Sequence, residues 1–181
     1  MDYVGRYNSP LGTMTMASDG VALVGLWFDG QRRYADVLQA DWREESRSIF
    51  DETVRWLNVY FSGGTPDVTP RLALRGTDFG KVVWKILATI PYGATTSYGD
   101  LSRVVARQLG RAHMSAQAVG GAVARNPISL IIPCHRVVGA DGSLTGYAGG
   151  LDRKKKLLDW ERANTSLSFP LLPNFRGGNV F

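Results

Sequence analysis

The sequence predicts an α+β protein built from two successive domains. Short alternating segments separated by turn residues open the chain, which is typical of a small antiparallel sheet. After a Gly- and Pro-containing stretch at residues 62–66 the pattern becomes mainly helical. With 181 residues, 44% of them hydrophobic, the chain has enough apolar surface for a core without disulfides.

The first half, to about residue 75, predicts a small α+β domain. Strands are expected within residues 3–7, 14–17 and 21–28, followed by a helix over 46–61. The residues on the predicted buried face of that helix are Phe50, Val54, Leu57 and Phe61. No pattern in this half carries chemistry, so we expect it to support the rest of the chain.

The second half predicts three helices before the cysteine region. The first is capped by Thr77 or Asp78, the second starts at Ser97, and the third covers residues 115–125. A short turn after Gly110 joins the last two, which indicates a helix-turn-helix. The final helix starts near Asp152.

Positive charge lies in the second half. Residues 78–161 hold 11 Lys and Arg against 6 Asp and Glu, whereas residues 1–77 hold 8 against 10. Such a basic half suggests a polyanionic partner, although an ordinary basic surface explains it equally well.

The third helix is rich in small residues, including Ala118, Gly120 and Gly121. Side chains that read the major groove are usually long and polar. Small residues favour either tight packing on a neighbouring helix or close approach to the narrow minor groove.

The only cysteine, Cys134, follows the apolar run Ile128–Ile132 and Pro133. That run predicts a strand buried on both faces and ended by the proline. A thiol next to His135 and Arg136 is in a setting that favours thiolate, the nucleophilic form. The alternative is a buried structural thiol.

A cysteine nucleophile needs a base, and His135 is adjacent. Consecutive side chains of an extended segment point to opposite faces, so either the chain bends after Pro133 or a water bridges the two groups. Glu161 shares an apolar helix face with Leu157 and Leu158, and a buried acid needs a partner. Either His135 or a lysine at the rim fits that role.

Composition argues against several classes. A lone cysteine excludes an internal disulfide and fits a reducing cytoplasm. One cysteine and two histidines make a zinc site improbable, and His113 is expected to be exposed in the helix-turn-helix turn. Neither a signal peptide nor a membrane span is visible.

The run Pro133-Cys134-His135-Arg136-Val137 resembles the active-site signature of O6-alkylguanine-DNA alkyltransferases. The resemblance extends in order over about half of the chain. Its other motifs are residues 75–79, Tyr98, Ala118–Gly121, Asn126-Pro127, Gly146–Gly150 and Glu161.

The resemblance implies a ribonuclease-H-like domain over residues 1–75 and a winged helix-turn-helix domain over 76–165; residues 166–181 form a tail with no assigned role. It also implies a monomeric DNA-repair protein that binds double-stranded DNA in the minor groove. O6-alkylguanine, chiefly O6-methylguanine, would be flipped out, and its alkyl group would pass irreversibly to Cys134 in one turnover. No cofactor or metal is implied.

The resemblance also implies residue roles. Cys134 is the acceptor, His135 and Glu161 form a proton relay, Asn126 links the recognition helix to the site, and Tyr98 assists base rotation. The implied contacts to DNA or to the flipped base are Tyr98, Ser115, Gln117, Ala118, Gly120, Arg125, Arg136, Val137, Tyr147, Ala148 and Gly149.

One position departs from the family pattern. Many members carry an arginine that fills the gap left by the flipped base, and this chain has Gln117 there. Glutamine still forms hydrogen bonds with a base but loses attraction to phosphates, which predicts less efficient flipping.

Three other functions fit parts of the sequence. A non-catalytic sensor of alkylated DNA would not need Cys134. A winged helix-turn-helix regulator would leave Glu161 and the cysteine signature unexplained. A cysteine hydrolase is the least favoured, because adjacent cysteine and histidine side chains are poorly placed for direct contact.

Overall fold

The computed structural model describes residues 1–165, and the predicted tail over 166–181 lies outside the described residues. Four strands come first and helices dominate the rest of the described chain, which confirms the α+β class. Within the described part, no helix has the length and apolarity needed to cross a bilayer. The elements are β1 (Tyr3–Ser9), β2 (Gly12–Ser18), β3 (Leu23–Phe28), β4 (Arg43–Glu44), α1 (Ser48–Phe61), α2 (Asp78–Leu87), β5 (Thr96–Ser97), α3 (Tyr98–Gln108), α4 (Ala116–Val123), a 3₁₀ turn (Cys134–Arg136), β6 (Val137–Val138) and α5 (Leu151–Asn164).

The first half forms a four-stranded sheet with α1 packed against it. Strand order is β3-β2-β1-β4; β1 and β3 pair antiparallel with β2, and β4 adds two residues parallel to β1. Helix α1 begins two residues later than predicted. Its buried residues are Ile49, Phe50, Thr53, Trp56, Leu57 and Tyr60.

The predicted helix starts of the second half are confirmed by their caps. Thr77 accepts a hydrogen bond from the Gly80 amide at 3.1 Å, and Ser97 accepts one from the Asp100 amide at 3.0 Å. Ser115 caps α4 in the same way. Helices α3 and α4 are the helix-turn-helix pair.

The predicted strand over residues 128–132 is wrong. Only Ile128 bridges to Leu26 of β3; the chain then turns, with Leu130 at a φ of +69° and the Ile132 amide bonded to the Ile128 carbonyl at 3.1 Å. The run is buried as predicted, because apolar composition determines burial. It does not determine backbone conformation, which local hydrogen bonds set here.

The carboxamide of Asn126 supplies three further hydrogen bonds to this segment. Its Nδ2 donates to the carbonyls of Ile128, at 3.2 Å, and Ile132, at 2.8 Å, and its Oδ1 accepts from the Ile128 amide at 3.0 Å. Because one side chain satisfies three buried backbone groups, the segment needs no strand partner beyond Ile128. The turn ends at Pro133 and delivers Cys134 to the 3₁₀ turn.

The two halves share one hydrophobic core, which runs from Met14 and Leu26 in the sheet to Leu157 in α5. Polar contacts also cross between the halves. The Arg32 amide donates to the Ala148 carbonyl at 3.1 Å, and Arg153 donates to the Leu11 carbonyl at 3.0 Å. The first half therefore contacts the loop that follows the cysteine turn.

We predict that Asn126→Ala lowers the free energy of unfolding by at least about 2 kcal/mol, since a buried backbone group left unpaired costs about 1–3 kcal/mol. Urea unfolding measures the loss. The control is Asn58→Ala, which removes a surface hydrogen bond from Tyr7 and should cost within about 0.5 kcal/mol. Equal effects of the two substitutions would contradict this account of the turn.

Candidate active site

The Glu161 carboxylate is the centre of the site. It is fully buried on α5 and accepts five hydrogen bonds. Oε1 accepts from His135 Nε2 at 2.6 Å, Tyr60 Oη at 2.8 Å and Arg136 Nη2 at 2.9 Å. Oε2 accepts from Arg136 Nε at 2.9 Å and the Gly93 amide at 3.0 Å. The pairing with His135 is therefore present, and the alternative of a rim lysine is wrong.

Charge is balanced around this carboxylate. Burial alone would raise the pKa of Glu161, but hydrogen bonds from His135 and Arg136 and the charge of Arg136 hold it well below its usual range. Burial lowers the pKa of His135 despite the contact with Glu161. An ionised carboxylate only accepts hydrogen bonds, so the neutral imidazole carries its proton on Nε2. Nδ1 is then the free acceptor, and it is buried without a partner among residues 1–165.

Cys134 is buried at the start of the 3₁₀ turn, and its Sγ lies 3.1 Å from Asn126 Nδ2. Burial raises the pKa of the thiol, although the Asn126 contact and the charge of Lys154 oppose this. The resting sulfur is therefore protonated, and the prediction of a thiolate-favouring setting is wrong for this state. Burial outweighs the nearby positive charge, and the Arg136 guanidinium is bound to Glu161 and the Ile90 carbonyl.

The bend after Pro133 is present, yet it brings no direct hydrogen bond between the Cys134 thiol and the His135 imidazole. The turn places His135 so that Nε2 points to Glu161. A proton passing from the thiol to the imidazole therefore has to reach Nδ1.

Two side chains hold the loop over residues 145–150. The Tyr98 hydroxyl donates to the carbonyls of Thr145 and Gly146, both at 3.2 Å. Lys154 Nζ donates to the same two carbonyls, at 2.6 and 3.3 Å, and to that of Val137. Burial lowers the pKa of Lys154 to about 8. The ammonium group thus fixes the loop beside the cysteine turn.

Sequence reasoning missed Lys154, Tyr60 and Gly93. Lys154 had a signal, because it precedes Leu157 and Glu161 by three and seven residues on the same helix face. Tyr60 had none, since 101 residues separate it from its partner. Its position was predicted to be helical, in a half with no expected chemistry.

Some of the residues predicted to contact DNA are exposed in the structure, and others are partly or fully buried. Ser115, Gln117, Ala118 and Arg125 are exposed on or beside α4, which suits contact with a partner. Arg136 is not available for DNA, because its side chain is buried and bound to Glu161 and Ile90. Gly120 lies in α4 and faces the ring of Tyr98, the first residue of α3. Val137 follows the cysteine turn, and Tyr147, Ala148 and Gly149 lie in the loop before α5. His113 is exposed, as predicted.

Two family models match the chain. The ribonuclease-like domain of 6-O-methylguanine DNA methyltransferase matches residues 3–74, and the DNA binding domain of the same family matches residues 78–163. These matches confirm the predicted order of a ribonuclease-like half and a DNA-binding half.

Curated relatives agree over nearly the whole chain. The methylated-DNA–protein-cysteine methyltransferase of Mycobacterium tuberculosis is 43% identical over 164 residues, which cover 91% of this chain and 94% of the relative. The protein of the same name from Methanosarcina barkeri is 44% identical over 163 residues, covering 90% and 98%.

Solved structures show the same fold. The crystal structure of Mycobacterium tuberculosis OGT in complex with DNA has a TM-score of 0.77 and 42% identity, covering 91% of this chain and 96% of that one. An O6-methylguanine DNA methyltransferase from Methanococcus jannaschii has a TM-score of 0.61 and 30% identity, covering 94% and 100%.

We predict that the Cys134 thiol reacts with iodoacetamide at pH 7.4 at least about tenfold more slowly than glutathione, because burial raises its pKa and restricts access. The rate should rise with pH as thiolate forms, and urea should restore the rate of a free thiol. Mass spectrometry follows the label, and Cys134→Ser should take up none. Equal rates in the native and urea-unfolded protein would contradict the assigned burial.

Proposed function

The chain belongs to the methylated-DNA–protein-cysteine methyltransferase family, and we propose that Cys134 accepts the alkyl group that this DNA-repair protein removes from DNA. The proposal rests on the number of cysteines in the chain. The reaction needs a protein cysteine, and the sequence of 181 residues contains only one. That cysteine lies in the turn beside His135, whose imidazole is bound to Glu161.

The substrate we propose is O6-alkylguanine, chiefly O6-methylguanine, in duplex DNA. The names of both matching family models point to this base. Exposed small residues on α4, such as Ala118, permit a close approach to the minor groove, and reaction at a buried sulfur requires the base to leave the stack. A single chain carries every group named in the mechanism, so we propose that it acts as a monomer.

In the proposed mechanism the thiol is deprotonated only for the reaction. Its proton passes through a water molecule to Nδ1 of His135, and Glu161 stabilises the resulting imidazolium. The thiolate of Cys134 attacks the alkyl carbon bound to O6; the S–C bond forms as the C–O bond breaks. The guanine leaves with the electron pair of the broken bond and takes up a proton.

Two further residues assist in this scheme. Asn126 ties the end of α4 to the sulfur through its 3.1 Å contact. The Tyr98 hydroxyl donates to the carbonyls of Thr145 and Gly146 in the loop after the cysteine turn. That hydroxyl would have to turn from the loop in order to give a proton to the departing guanine.

The product is a thioether, and the scheme contains no step that removes its alkyl group. Each molecule therefore acts once and uses no cofactor. A thiol consumed in this way has to be reduced beforehand, so we propose the reducing cytoplasm as its compartment. We also propose a division of labour: residues 1–75 support the site, and 76–165 bind DNA and carry the acceptor. A non-catalytic sensor is disfavoured, because both Cys134 and its relay are present.

We predict that incubation with duplex DNA containing O6-methylguanine adds one methylene mass to the protein, mapped to Cys134. Repair should stop at one lesion per molecule. Intact-mass spectrometry measures both quantities. Cys134→Ser should gain no mass while still binding the alkylated duplex; repeated turnover, or transfer in that variant, would overturn the proposal.

We predict that Gln117→Arg raises the single-turnover rate on duplex DNA by up to about tenfold, because a longer cationic side chain fills the gap left by the base and pairs with phosphate. The salt dependence of binding should steepen by about one phosphate contact. The control is Gln108→Arg, which adds the same charge at the exposed end of α3. An equal gain in both variants would attribute the effect to net charge and contradict a role for position 117 in flipping.

A further inference from the structure

We propose that Tyr60, in the ribonuclease-like half, is a positioning residue of the alkyl transfer: its hydroxyl fixes the Glu161 carboxylate and limits how strongly that carboxylate draws a proton onto His135. This inference rests on the proposed function and deepens it. It assigns part of the relay to the half of the chain in which the sequence showed no chemistry.

Three donors share one carboxylate oxygen. Oε1 of Glu161 accepts from His135 at 2.6 Å, from Tyr60 at 2.8 Å and from Arg136 at 2.9 Å. An oxygen of this kind has about two lone-pair sites, so the three donors compete for them. The bond from Tyr60 therefore weakens the bond to His135.

The Tyr60 hydroxyl is held in place by its surroundings. Its ring stacks on Trp56 at 5.4 Å and meets the edge of Tyr92 at 5.7 Å. Its carbonyl accepts a hydrogen bond from the Trp160 indole at 3.1 Å, one residue before Glu161 on α5. The side chain is fully buried, so this donor cannot swing to water. The ring and the Trp160 contact both remain when only the hydroxyl is removed.

The other groups near the pair keep a constant charge across the acid range. Burial and Glu161 raise the pKa of Tyr60 far above its usual value, so its hydroxyl stays a neutral donor. Lys154 is protonated below about pH 8, and the thiol of Cys134 is neutral there. Arg136 faces the pair through its two hydrogen bonds to Glu161. The remaining neighbours are Tyr92, whose pKa is raised to about 12, and Tyr147, whose pKa is raised well above 10.

His135 is therefore the group expected to titrate at this site as the solution is acidified, with a pKa below its usual value because of burial. Glu161 stays ionised throughout, since its pKa is held well below its usual range. Removal of the Tyr60 hydroxyl leaves Oε1 to His135 and Arg136, which strengthens the contact with His135 and favours the imidazolium. The neutral base is then lost at a higher pH as the solution is acidified.

The test is Tyr60→Phe in the full chain, with Tyr92→Phe as the matched control. Tyr92 also carries a buried hydroxyl, which has no partner within residues 1–165, and its ring touches Tyr60. The chain has two histidines, so ¹³C-histidine NMR resolves His135 with exposed His113 as an internal reference. We expect Tyr60→Phe to raise the pKa of His135 by up to about one unit.

The rate of alkyl transfer should follow the titration. At the pH where the wild-type single-turnover rate is half maximal, a rise of one unit lowers the neutral fraction of His135 about fivefold. On the alkaline side of the profile the rate should stay within about twofold of wild type. Tyr92→Phe should change neither the titration nor the profile.

A second variant is expected to shift the pKa of His135 in the opposite direction. Site-specific 3-fluorotyrosine at position 60 keeps the ring and is a stronger donor, so it should lower the pKa of His135. An unchanged His135 titration in Tyr60→Phe, an equal shift in Tyr92→Phe, or a rate loss uniform at all pH values would overturn the inference. The mass gain of wild-type Cys134 tests the proposed function separately, because the NMR titration requires no transfer.

Discussion

The buried charge of Glu161 is the constraint on which the site depends. An unpaired carboxylate at this depth would be strongly destabilising, and Arg136 offsets its charge through two parallel hydrogen bonds. The remaining donors come from α1, from the residues before β5 and from the cysteine turn. Four separate segments must therefore meet before the carboxylate is satisfied, so the relay geometry is a product of tertiary folding and no single motif contains it.

Burial keeps the Cys134 thiol protonated at rest, so in the proposed mechanism it loses its proton only during the reaction. The thiol of Cys134 is neutral at rest because desolvation outweighs the nearby positive charge. A buried neutral thiol is protected from oxidation and from stray electrophiles, which suits a group that is spent once. In the proposed mechanism a base must therefore act during the attack, and the buried, unpaired Nδ1 of His135 is the proposed proton acceptor.

Local signals predicted much of this structure. Caps at Thr77 and Ser97 are encoded by neighbouring residues, and their helices start where expected. The association of Cys134, His135 and Glu161 followed from a short signature and one helix face. The run 128–132 was assigned to a strand because periodicity reports burial, while the carboxamide of Asn126 decides the backbone path. Tyr60 could not be found in this way, since its partner is distant in the chain and near only in the fold.

The boundary near residue 75 separates the two halves in sequence, but contacts that support the site cross it. The Arg32 amide holds the Ala148 carbonyl, and the Tyr60 hydroxyl reaches Glu161. A chimaera that joined the first 75 residues of one relative to the remainder of another would therefore replace part of the relay along with the scaffold. Compatibility between parents would depend on these contacts and on the core that the two halves share, so the halves are not interchangeable modules.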